Sequence, residues 1–329
     1  MTKTTRLIIL FLLVSVSVSN AGITLKTDLG PIIKRGFGHA EYVMDAYAWS
    51  QDEQLYRVKS KLTFPLDFFM AGVEIGIVPQ LKSNDKLSFS VGLYTNINNP
   101  GGLMKDYDWS APAGYRLTMW SYTESDADQK ALQLDINGRY RVFSWNKVHT
   151  YLYTGFRYQK LEQDINGYTG WQLNSDPPPD TVFFSETHYA LYYRVTFTSP
   201  MIGLIYSIKF TPGTSLDLMA AYSRFYASDY DDHVLRRKVA TANGWGNGIY
   251  SSILFKTGIF PGLMKVRPFL EISGDVTYLK ASMPQTQEWY GDDPISDIDD
   301  TGIIIHGIPH DISSFQFWLG LKLGMEFGI

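Results

Sequence analysis

The chain has no cysteine, which removes the disulfide staples that reinforce many small exported domains; a large exported protein can do without them. It also lacks any apolar run long enough to span a bilayer comfortably as a helix; the one apolar stretch near its start is too short. No amphipathic helical pattern continues beyond three turns, and there is no internal repeat or low-complexity linker. Charge of one sign is not in excess. A net charge of −4 gives no hint of nucleic-acid binding. What is abundant is aromatic: 15% of 329 residues, including 22 Tyr and 8 Trp. The mean hydropathy is only −0.13, so apolar residues are dispersed rather than blocked. That combination fits a transmembrane barrel, whose lipid-facing residues alternate with polar lumen residues between aromatic belts.

The first residues read as an export signal. Lys3 and Arg6 supply the positive start, residues 8–18 the short apolar run, and Ser19-Asn20-Ala21 a small-residue end suited to cleavage before Gly22. Residues 1–21 are therefore expected to be a signal peptide, and residues 22–329 one barrel domain.

Alternation sets the fold class. From Phe315 to Ile329 every odd position is apolar, and the even positions are polar or small except Trp318. This period-two pattern outlasts an ordinary soluble strand and suits a tilted membrane strand that continues past the bilayer. Its apolar last residue resembles the end of bacterial outer-membrane barrels. Residues 132–142 alternate likewise, with Gln133, Asp135, Asn137, Arg139 and Arg141 on one side. That face suits a water-filled lumen and no buried soluble core. Further extended segments bring the count to ten to twelve. The expectation is an all-β, antiparallel transmembrane barrel of about ten strands. Its short turns, such as 145–147 and 211–214, would face the periplasm. Long extracellular loops are expected near 97–128, 164–186, 228–247 and 281–312.

Two acidic motifs stand out. Gly101-Gly102-Leu103-Met104-Lys105-Asp106-Tyr107-Asp108-Trp109 sets two carboxylates two residues apart. Asp229-Tyr230-Asp231-Asp232-His233 repeats that spacing and adds an imidazole. In extended chain, residues two apart share a side, so each motif presents its groups to one space. Both fall where a strand is expected to give way to a long loop on the extracellular rim. Facing groups of this kind can activate a water molecule.

The two motifs, in this order on a barrel, resemble the omptins, the outer-membrane aspartate proteases of Gram-negative bacteria. The resemblance implies a ten-stranded barrel with a catalytic groove at its outer top. It implies Asp231 and His233 as a dyad and Asp106 and Asp108 as the facing couple. A water between Asp106 and His233 would attack the scissile carbonyl, with no metal or covalent intermediate. A protonated His233 could not accept the water proton, so activity is expected to fade in acid. The resemblance further implies cleavage of peptides or proteins at basic residues, with Glu41 and Asp229 binding the substrate's basic side chain. Ser60-x-Leu62-x-Phe64 resembles a family strand motif and reads as packing. Lipopolysaccharide is implied as an activator on the outer wall. Its matching segment keeps Phe156 and Lys160 but has Tyr158 in place of an acid, and Thr196 at the second basic position. The cluster Arg236-Arg237-Lys238 is the substitute considered. His306 and His310, with Asp311, and the acidic loop Asp292-Asp293, Asp297, Asp299-Asp300 are weaker metal candidates, read as a polar loop and a solvated acidic rim. The rival readings are a catalytically silent barrel acting as an adhesin or receptor, and a porin-like channel.

Overall fold

The computed structural model describes residues 24–49, 53–80, 86–98, 102–173, 180–259, 266–294 and 298–328. The expected signal peptide, Gly101, Asp297 and Ile329 lie outside them. Twelve strands follow in chain order: β1 (Thr24–Trp49), β2 (Leu55–Pro65), β3 (Phe69–Gln80), β4 (Leu87–Asn96), β5 (Gly102–Pro112) and β6 (Thr118–Trp145), then β7 (Val148–Leu173), β8 (Thr181–Thr211), β9 (Thr214–His233), β10 (Lys238–Gly258), β11 (Val266–Trp289) and β12 (Ile304–Gly328). All pair antiparallel, and β12 returns to β1.

Closure is a ring of ten. The lower half of β1 pairs β3, and its upper half pairs β2. β6 likewise pairs β4 below and β5 above. Thus β2 with β3, and β4 with β5, each occupy one position in the ring with a break midway. The first break, residues 66–68, is carried by hydrogen bonds from Gly36 N to Phe68 O and from Leu66 N to Gly38 O. Gly38 has φ of +133°, and a Cβ there would meet the Phe315 carbonyl oxygen at 2.1 Å, so only glycine fits. Across the second break the Asn96 side chain replaces backbone, accepting from Ala131 N and donating to Gln129 O.

Alternation puts the expected faces where barrel physics needs them. Leu319, Leu321, Leu323 and Met325 are about half exposed on the outer wall, while Gln316, Trp318 and Lys322 are buried in the lumen. Trp318, the exception in the polar face, donates to Gln316 Oε1 and meets Phe68 edge-on. The lumen is lined by charge pairs between nearby strands and is crossed by Gln159 of β7 and Gln316 of β12, which exchange hydrogen bonds of 3.0 and 2.9 Å. Arg157 grips Asp135 through two bonds of 2.7 and 3.0 Å, and Lys322 reaches Asp28 and Glu74 at 3.0 and 2.9 Å. A cavity of about 250 Å³ lies among these groups.

Most of the expected long loops are strand. β8 runs for 31 residues, and residues 102–112, 118–128 and 228–233 are all paired. The connections shrink to segments such as 113–117 and 234–237. Above the lipid band both faces of the wall meet water. Thr181–Val182–Phe183 and Ser185–Tyr189 are all exposed, so apolar alternation disappears while backbone pairing continues.

Candidate active site

Every inward position on β9 from Ser223 to Asp231 is buried: Ser223, Phe225, Ala227, Asp229 and Asp231. The rhythm carries His233 inward too, at the top of the strand. There the chain turns through a single 3-10 turn, Val234–Arg236, closed by Arg237 in the left-handed region with φ of 50°. Arg236 pins this turn by bonding the buried Asp293 at 2.9 Å. Asp293 is therefore a structural tie and no part of a solvated acidic rim.

The His233 imidazole is 20% exposed and sits over Asp231, which is 1% exposed; His233 Nε2 is 2.9 Å from Asp231 Oδ2. The angle falls short of a hydrogen bond, and Asp231 Oδ1, Asp231 Oδ2 and His233 Nε2 have no other hydrogen-bond partner. Catalytic pairs are often misaligned in the unliganded state.

Opposite, Asp106 and Asp108 lie within β5, paired to Leu62 and Ser60 of β2. They are mid-strand rather than at a loop junction. Ser60 Oγ donates to Asp106 Oδ1 at 3.5 Å, and Ser121 Oγ donates to Asp108 Oδ2 at 2.8 Å. Ser60, read from sequence as packing, thus touches the acid couple. Leu62 and Phe64 do pack, with Phe64 stacked on Tyr193 at 4.0 Å.

The two walls sense each other. Desolvation, then the charges of Asp108 and Asp231, hold the Asp106 carboxyl well above the usual carboxylate range. Tyr42, inward from β1, keeps its phenol proton through burial and the charges of Asp231, Asp106 and Asp229. Lys238 is buried among these acids. Burial and nearby Arg236 lower it to about 8, while Asp231, Asp293 and Asp108 pull the other way. The expected outer basic cluster is therefore dispersed: Arg236 binds Asp293, Arg237 closes the turn and Lys238 faces inward.

Glu41 departs from expectation. Ala40 and Tyr42 are its buried neighbours, so Glu41 points to the outer wall, where Lys61 Nζ holds it at 2.6 Å and His39 flanks it. It does not face the inward acids. Asp229 does face inward, and His310 Nε2 is 2.9 Å from Asp229 Oδ2 with both side chains buried. His310 is in β12 rather than a polar loop. His306, also in β12, meets Thr286 Oγ1 at 3.0 Å. Among the described residues no group of three or more acids and histidines could hold a metal.

On β7, Phe156, Tyr158 and Lys160 alternate with Arg157 and Gln159. Arg157 binds Asp135 and Gln159 is buried, so the other three face outward. Lys160 is next to Thr196 of β8 and 2.7 Å from Glu162. Two residues from Thr196, on the same outer face, Arg194 lies over the Tyr230 ring at 5.1 Å.

The Omptin family model matches residues 43–287. Among solved structures, the outer membrane protease OmpT from Escherichia coli superposes with a TM-score of 0.70 and 14% identity, covering 93% of this chain and 97% of that one. The translocator domain of the autotransporter NalP from Neisseria meningitidis reaches a TM-score of 0.32 at 9% identity, covering 94% and 92%. No curated protein matches the chain by sequence.

Proposed function

Because this chain belongs to the omptin family and has an OmpT-like barrel of the outer membrane, we propose that it is an aspartate-type endopeptidase that cuts exposed peptides and proteins at basic residues outside the cell. The carrying observation is the cluster of acids at the top of the barrel. Inward acids from opposite walls meet at one mouth, and several buried acceptors there have no donor. A buried carboxylate oxygen without a donor costs free energy, so such a cluster suits a bound water and a substrate.

In this reading a water lies between Asp106 and His233. His233 takes one proton as the oxygen adds to the scissile carbonyl, and Asp231 steadies the resulting imidazolium. His233 then returns the proton to the leaving amine, with no covalent intermediate. Asp108, fixed by Ser121, raises the proton affinity of Asp106, so the couple can share a hydrogen with the water. Asp229 receives the substrate's basic side chain. Glu41 has no part, since it is on the outer wall and already paired. The groove is at the end opposite the short turns at 146–147 and 212–213, which supports an extracellular site. Lipopolysaccharide would bind the outer wall through Phe156, Lys160 and Arg194 and act as activator.

The test uses refolded protein with lipopolysaccharide and quenched Arg-Arg and Lys-Lys peptides. Cleavage is expected and should vanish in His233→Ala and Asp106→Ala. Undiminished cleavage in either variant would overturn the assignment. Binding of cells or ligands with no cleavage would favour the adhesin or receptor reading.

A further inference from the structure

The His310–Asp229 pair is separate from the His233–Asp231 pair, and its hydrogen bonds run in one direction. Gln287 Nε2 donates to Gln285 Oε1 at 2.8 Å. Gln285 Nε2 is 3.4 Å from His310 Nδ1, and His310 Nε2 is 2.9 Å from Asp229 Oδ2. An amide nitrogen can only donate, so His310 Nδ1 accepts and Nε2 carries the proton given to Asp229. A neutral imidazole is sufficient for this chain of bonds. The edge of the ring contact with Tyr42, at 4.8 Å between centroids, locks its orientation.

Asp229 is left half satisfied. Its Oδ2 is occupied, while Oδ1 is buried and makes no well-formed hydrogen bond, although the Ala242 backbone N–H also acts on the carboxylate. The Tyr193 hydroxyl, also buried and without a partner, is close enough to feel the Asp229 charge. Asp229 is two residues from Asp231 on the same inward face, one step below the dyad.

We propose that His310 is a specificity-determining residue: by occupying one oxygen of Asp229 it leaves a single acceptor, which selects a lysine side chain over an arginine. The inference rests on the reading above that Asp229 receives the substrate's basic group. A guanidinium binds a carboxylate best through two parallel bonds to both oxygens. An ammonium is a compact donor that can bond one oxygen and turn a second N–H to the Tyr193 hydroxyl.

The test compares two quenched peptides that differ only in Lys or Arg at the cleaved position, with lipopolysaccharide present. Wild type should favour Lys by about tenfold or more in kcat/KM, the scale of one charge-assisted hydrogen bond. His310→Ala and the volume-keeping His310→Phe should each move the ratio about tenfold toward Arg. Barrel folding is checked by heat-dependent gel mobility. Arg preference in wild type, or an unchanged ratio in both folded variants, overturns the inference while leaving the protease reading intact. If wild type cleaves neither peptide, the protease reading fails. Calorimetric binding of Lys and Arg peptides with a reduced scissile bond then decides the inference separately: a Lys preference lost in His310→Phe supports it, and equal affinities overturn it.

Discussion

His233 and Asp231 form a pair in which one member is open to the groove and the other is sealed beneath it: the imidazole is 20% exposed, the carboxylate 1%, and Nε2 is 2.9 Å from Oδ2. In the proposed mechanism the ring's other nitrogen meets the water while the buried acid stabilises the imidazolium. Asp231→Asn should lower kcat by about 10²- to 10⁴-fold, the range of a positioned general base, with little change in KM. Steady-state kinetics on a quenched peptide, with a gel-mobility control for folding, measures it.

Asp106 is held in a site that resists its ionisation. Its folded-state pKa is above the unfolded value near 3.8, so between the two the folded form binds the proton more tightly and stability falls as pH rises. Asp106→Asn should raise the melting temperature at neutral pH, a gain that fades toward and below pH 4, and should abolish cleavage. Circular-dichroism melts across pH read the first effect. An unchanged or lower melting temperature at pH 7 would remove the claim.

Lys238 runs the opposite way. Its value is lowered from 10.5 to about 8, so the charged form is disfavoured in the fold. Stability should rise as pH climbs from about 8 toward 10.5, where the folded chain binds fewer protons than the unfolded one. Lys238→Met should stabilise the barrel at pH 7 by about 3 kcal/mol, less as pH increases. It also removes a charge that favours ionised Asp106, so the acid limb of the pH–rate profile should move to higher pH.

A channel would need an open lumen. Here Gln159 of β7 and Gln316 of β12 exchange hydrogen bonds across it, beside the charge pairs of Arg157–Asp135 and of Lys322 with Asp28 and Glu74 that line its wall. Planar-bilayer recordings of wild type should show no steady open level. Sustained porin-like conductance would contradict a lumen filled by side chains.

On the outer wall, Lys160 of β7 is paired to Thr196 of β8, and Arg194, two residues from Thr196, lies over the Tyr230 ring of β9. Lys160→Ala combined with Arg194→Ala should raise the lipopolysaccharide concentration for half-maximal activity by about tenfold, the scale of losing charge-assisted bonds to phosphate. A titration of activity against lipopolysaccharide checks this.

The barrel was legible in the sequence because lipid on one side and a packed lumen on the other force strict alternation, as at residues 315–327 and 132–142. The inward pairing of Asp229 with Asp231, and of Asp106 with Asp108, followed from the same period of two. Above the lipid that constraint lapses, so the extended β7–β8 hairpin looked like loop. Glu41 shows the limit at one residue: a motif match cannot give strand parity, and buried Ala40 and Tyr42 turn it outward. His310 shows the limit at long range. Its partner Asp229 is 81 positions away, and only the successive registers of β9, β10, β11 and β12 bring the two side chains into one buried space.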